Sequence, residues 1–167
     1  GVDGKDSFFQ APLMLPEGKK PIMITETMVN YFTYMIDGNG DGEADAGGAG
    51  FASKLVLDEN GDIKAQYVDS SNNLLIGNYD LVPILEDFIK EHPDFSYKGA
   101  RAILAVTGDE GLFGYRCNTS YIATKSQGYY DEQVAGAKQI IQALRDKGYT
   151  IASYTYSNKK YRDMSAK

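Results

Sequence analysis

Residues 131–156 read Asp-Glu-Gln-Val-Ala-Gly-Ala-Lys-Gln-Ile-Ile-Gln-Ala-Leu-Arg-Asp-Lys-Gly-Tyr-Thr-Ile-Ala-Ser-Tyr-Thr-Tyr. Val134, Ala137, Ile140, Ile141 and Leu144 recur at spacings of three and four, so they form the apolar stripe of a helix expected over 131–147. Gly148 is suited to end that helix, and 150–156 reads as a strand. Upstream, Ala102-Ile103-Leu104-Ala105-Val106 is a continuous apolar run of the buried-strand kind. Residues 80–91 repeat the helical pattern through Leu81, Val82, Leu85, Phe88 and Ile89. Asp80 is placed to cap this helix, Pro83 is tolerated in its first turn, and Pro93 lies beyond its end. Pro21 to Thr25 is a further short apolar run. Helices alternating with apolar strands imply an α/β fold in which 21–25, 102–106 and 150–156 are parallel neighbours.

Between these elements the chain changes character. Residues 1–20 are irregular, with Pro12, Pro16 and Gly18, and 26–36 suit a loop or short helix. Residues 37–50 form a Gly- and Asp-rich insert. Within 51–68, two alternating stretches flank Asp58-Glu59-Asn60-Gly61-Asp62, and Asn-Gly marks the turn of a hairpin. Residues 69–77 and 107–130 read as loops. The 167 residues suit a single domain over 1–167.

Composition excludes several classes. A net charge of -6 argues against a nucleic-acid partner, which requires clustered cations. Cys117 is the one cysteine, so no intrachain disulfide can form. His92 is the one histidine and sits at a helix end, where the dipole favours a cation. With these two far apart in sequence a Cys/His zinc site has no ligand set, and a Ser-His-Asp triad would have to use His92, around which nothing suggests a nucleophile elbow. No apolar run is long enough to span a membrane as a helix. Gly108-Asp109-Glu110-Gly111-Leu112-Phe113-Gly114 follows a strand but lacks the Gly-Lys-Ser/Thr ending of a phosphate loop.

Two local patterns carry chemistry. Asp37, Asn39, Asp41, Glu43 and Asp45 place oxygen ligands at alternate positions, with Gly42 sixth, as a calcium loop does. The twelfth position, where a bidentate Glu belongs, is Gly48, so an acidic insert without metal is the alternative. Tyr115, Tyr121, Tyr129 and Tyr130 crowd one loop, where rings either stack on sugars or pack internally.

Three stretches together resemble polysaccharide deacetylases of the NodB homology type, particularly a bacterial branch with a long opening region. The first is Gln10-Ala11-Pro12, then Leu15-Pro16-Glu17-Gly18-Lys19-Lys20-Pro21 and Val29-Asn30-Tyr31-Phe32. The second runs from Tyr79-Asp80-Leu81-Val82-Pro83 through Glu91-His92-Pro93-Asp94-Phe95-Ser96 to Thr107-Gly108-Asp109-Glu110-Gly111 and Gly114-Tyr115-Arg116. The third is Lys147-Gly148-Tyr149-Thr150-Ile151-Ala152-Ser153-Tyr154 to Asn158. The resemblance implies part of a deacetylase-type (β/α) barrel with parallel strands and an inserted β-hairpin. It also implies a secreted or cell-envelope protein, although the chain opens Gly1-Val2-Asp3-Gly4 with no export signal.

Such enzymes hold a divalent metal with one Asp and two His, and a neighbouring Asp acts as base. The corresponding places here are Thr27, Met28, Tyr154 and Asn158. None offers a carboxylate or an imidazole, so zinc is not expected. The resemblance therefore implies a catalytically inactive deacetylase-like domain that binds glycan, with Tyr31, Tyr115 and Arg116 as substrate-binding residues. Two alternatives stand beside it. One is an active hydrolase using Glu26 with Asp109 or Glu110 as acid and base; the other is a structural module with calcium in the insert. The family's later barrel strands have no counterpart here, so the open parallel edge is expected to self-associate or to close differently.

Overall fold

The computed structural model describes residues 14–155. It is a mixed α/β structure with a parallel sheet and an antiparallel sheet sharing one core. The parallel sheet contains β1 (Thr25–Thr27), β5 (Ile103–Thr107) and β6 (Thr150–Thr155) in the order β1-β5-β6. The antiparallel sheet is a meander of β2 (Lys54–Leu57), β3 (Ile63–Val68) and β4 (Leu74–Gly77). Among the described residues the parallel sheet does not close into a barrel.

The parallel neighbours expected from sequence are present, joined through α2 (Leu81–Glu91) and α4 (Gln127–Lys147). The Asp80 carboxylate accepts from Leu81 N at 2.7 Å as α2 begins. Ser126 Oγ accepts from Tyr129 N at 3.1 Å, which starts α4 at Gln127, four residues before the apolar stripe suggested. Gly148, at φ +101°, ends α4 in the left-handed conformation that glycine adopts without strain.

Three expectations are corrected. The first strand is Thr25–Thr27 rather than 21–25. Its pairing opens at Thr25 with Ile103, leaving Ile22 and Met23 exposed. Residues 69–77 are not all loop. Asp69 Oδ1 accepts from Ser71 N and Asn73 N, both at 2.9 Å, and this turn returns the chain as β4 against β3. The 107–130 loop contains α3 (Ser120–Thr124), whereas 26–36 ends in the short helix α1 (Thr33–Ile36), one of the two forms expected there.

Leu104, Val82, Ile140 and Leu144 join Leu55, Ile63 and Ala65 in one core, so α2 and α4 each bury one face against it. A buried ion pair fastens this packing. Glu86 on α2, 7% exposed, meets Arg101 Nε at 2.6 Å and Lys147 Nζ at 3.8 Å. No helix is long and apolar enough to cross a membrane among the described residues.

Removing one partner of such a pair strands a buried charge, which costs about 3–5 kcal/mol. Arg101→Met leaves Glu86 with Lys147 at 3.8 Å as its remaining cation, so it is expected to lower stability by less than that amount in urea denaturation. Arg101→Met combined with Glu86→Leu is expected to recover most of the loss.

Candidate functional site

Parallel sheets gather functional groups at the C-terminal ends of their strands. Here the loops leaving β1 and β5 meet. Of the six non-glycine residues with positive φ among the described residues, four lie in these loops: Met28 (+59°), Tyr31 (+51°), Glu110 (+56°) and Phe113 (+54°). Side-chain-bearing residues adopt this region at a cost, and such strain collects at functional sites.

A cleft of about 410 Å³ opens beside the β1 loop. Its walls carry the carboxyls of Glu26 and Asp80, the hydroxyl of Thr27, Met28, and the rings of Tyr31, Tyr34, Phe51 and Tyr79. The Tyr31 hydroxyl donates to Asp80 Oδ2. Burial, with Asp80 beside it, pushes the Tyr31 phenol well above its ordinary range.

Glu26 is the unusual group. The register pairs it with Leu104, which is fully buried, and in-register neighbours share a sheet face. Its carboxyl is therefore carried on the core-facing side, and its Oε2 is buried without a hydrogen-bond partner. Burial first, and the Asp80 charge second, raise its pKa from 4.5 to about 7. Near neutral pH the cleft thus presents a half-protonated acid beside a second carboxyl group.

The structure disperses several of the residues singled out from sequence. Thr27 and Met28 line the cleft. Tyr154, 44% exposed near the end of β6, is separated from β1 by β5, a lateral distance of about 10 Å from the strand spacing. It does not line the cleft, and Asn158 lies outside the described residues. Thr27, Met28 and Tyr154 offer a hydroxyl, a thioether and a phenol, a donor set that does not fit the zinc implied by the resemblance.

The Glu26 pairing is corrected too. Glu110 accepts from Thr33 N at 2.8 Å and Thr33 Oγ1 at 2.9 Å, and meets Arg116 at 3.4 Å. These contacts turn Glu110 away from the cleft, and Asp109 is not on its walls. The acid facing Glu26 is Asp80, legible in sequence only as a helix cap. Tyr31 lines the cleft, whereas Arg116 lines a separate pocket. Tyr115 packs its ring against Gly136, where a Cβ would overlap it. His92 ends α2 and stacks on Phe88, with ring centroids 4.5 Å apart.

In the insert, Asp37 accepts from the N–H groups of Asn39, Gly40 and Gly42 at 3.0, 2.5 and 2.6 Å. Chiefly through Gly40, these bonds lower its pKa. Asn39 and Asp41 accept from Asp41 N and Glu43 N, and Asp45 accepts from Gly38, Asn39 and Gly47. Gly42, at φ +90°, makes the sharp turn a sixth position requires. Gly48 packs so tightly on the Ile36 carbonyl that any Cβ would overlap it, which explains why no Glu stands there. Among the described residues no group of three or more His, Cys, Asp or Glu side chains is gathered to hold a metal.

The chain was compared with protein-family models, curated proteins and solved structures, and none of these matches it.

Two outcomes follow from these contacts. A carboxyl with pKa near 7 when folded and 4.5 when unfolded is protonated more readily in the native state, so stability falls as pH rises between those values. The melting temperature is expected to decline over that window, and Glu26→Gln is expected to flatten the decline. Asp37→Ala is expected to lower the melting temperature equally with and without calcium, because it removes the acceptor for three backbone N–H groups. A loss seen only in calcium would instead make Asp37 a metal ligand.

Proposed function

We propose that this is a polysaccharide deacetylase-like domain of a secreted or envelope protein that binds glycan in the Glu26 cleft without metal-dependent hydrolysis. The carrying observation is Glu26, which lines a cleft rimmed by aromatic rings and whose Oε2 is buried behind it without a hydrogen-bond partner. Sugars present apolar C–H faces and polar edges. Rings satisfy the first, and groups that both donate and accept satisfy the second. Phe51 is 52% exposed, and Tyr34, 76% exposed with its ring stacked on Phe32 at 5.6 Å, offers its other face. A protonated Glu26 donates, while the Asp80 and Thr27 oxygens accept. The volume of about 410 Å³ lies within the range of small-ligand sites, about 300–1,000 Å³.

One observation favours a second reading. A carboxyl with pKa about 7 next to another carboxyl is the arrangement of a general acid with its partner. On this reading Glu26 and Asp80 hydrolyse an acetylated sugar without metal. The aromatic rim favours binding over turnover.

Titration calorimetry with N-acetylated chito-oligosaccharide tests the choice. Binding is expected in the presence of chelator, weakened about fivefold by Tyr34→Ala, since each stacked ring contributes of order 1 kcal/mol. Acetate release that persists in chelator and disappears in Glu26→Gln would support the hydrolase instead. Absence of binding and of acetate would overturn both.

A further inference from the structure

A second pocket, of about 270 Å³, lies on the other side of the 51–54 segment, bounded by the insert, the hairpin sheet and α4. Lys54 stands in its wall. Its Nζ lies 4.9 Å from the centroid of the Tyr115 ring, which itself rests against Gly136 of α4. Lys54 is partly buried, and no carboxylate lies within ion-pair distance of it among the described residues. Burial lowers the pKa of its ammonium; Glu43 opposes this and Arg116 adds to it. A desolvated cation without a counter-ion is unfavourable, and a bound anion would remove that cost.

The other walls add hydrogen-bond donors. Arg116, 5% exposed, is pinned by donating to the Tyr31 carbonyl at 2.6 Å and the Asn30 carbonyl at 3.5 Å. Gln133 Oε1 accepts from Arg116 N at 3.0 Å, and Asn72 Oδ1 accepts from Ala46 N at 3.0 Å. Each amide thereby spends its acceptor on the backbone and leaves its NH₂ group to donate. Lys54 and the two amides share the lining with one carboxylate, that of Glu43, while the charge of Arg116 is met by Glu110 at 3.4 Å.

We propose that this pocket binds a monosaccharide-sized ligand through an oxyanion, a carboxylate or a phosphate, with Lys54 as its anchoring cation. The preference for charge-bearing ligands arises because a neutral sugar leaves the ammonium uncompensated. Glu43 opposes the anion and sets an upper limit on affinity. This site does not depend on what occupies the Glu26 cleft.

The full chain is titrated with glucuronate, glucose 6-phosphate and glucose at low ionic strength. At least one acid is expected to bind, glucose is not, and the tighter acid identifies the anion. Lys54→Met is expected to weaken binding about tenfold or more, as loss of a charge-assisted hydrogen bond does. Glu43→Gln is expected to strengthen it severalfold, an arm that holds even if Lys54→Met misfolds. The proposal is overturned if neither acid binds at millimolar concentration, if glucose binds as well as the acids, or if Lys54→Met folds and binds as tightly as the original chain.

Discussion

The carboxamide of Asn30, fully buried, joins the two loops on which the rest of the structure depends. Its Nδ2 donates to the carbonyls of Thr107 and Asp109, both at 3.0 Å, and of Gly111, and its Oδ1 accepts from Thr107 N at 3.3 Å. Backbone bonds run alongside: Met28 N to Ala105 O at 2.8 Å, Phe113 N to Val29 O at 3.1 Å, and Gly114 N to Asn30 O at 3.2 Å. Two irregular segments at the ends of β1 and β5 thus become one rigid layer. A buried amide with all its groups bonded specifies a single arrangement. That arrangement holds Met28, Tyr31, Glu110 and Phe113 in the left-handed region.

This layer separates the two pockets. On one side the chain carries Glu26, Thr27, Met28 and Tyr31 into an acidic, aromatic cleft. On the other, Lys54 stands in the wall of the second pocket, and Arg116, which also lines it, donates to the Tyr31 carbonyl and pairs with Glu110. The charge separation follows from which face each residue inherits: Glu26 from its register with Leu104, and Lys54 from its place at the start of β2.

Much of the framework is legible in the sequence because it rests on local periodicity. The apolar stripe through Ile140 and Leu144, the run Ala102–Val106 and the Asn60-Gly61 turn each announce an element. β4 is less visible because Leu74 and Ile76 are exposed and give no alternation of buried and polar positions. The site is harder to read. Asp80 is identifiable as a cap, but its partnership with Tyr31 spans 49 residues. The raised pKa of Glu26 arises from a sheet register that no local pattern encodes. The resemblance drew attention to Thr27 and Met28, which line the cleft, whereas the buried and unpartnered carboxyl oxygen belongs to Glu26, one residue earlier.

The account depends most on Glu26 being a desolvated acid that contacts ligand. Carbon-13 NMR of the glutamate side-chain carboxyls, followed across pH with and without chito-oligosaccharide, tests this directly. The account predicts one carboxyl signal titrating near pH 7, absent in Glu26→Gln and displaced by the oligosaccharide. A Glu26 signal that titrates near its ordinary value and is unmoved by the oligosaccharide would contradict it.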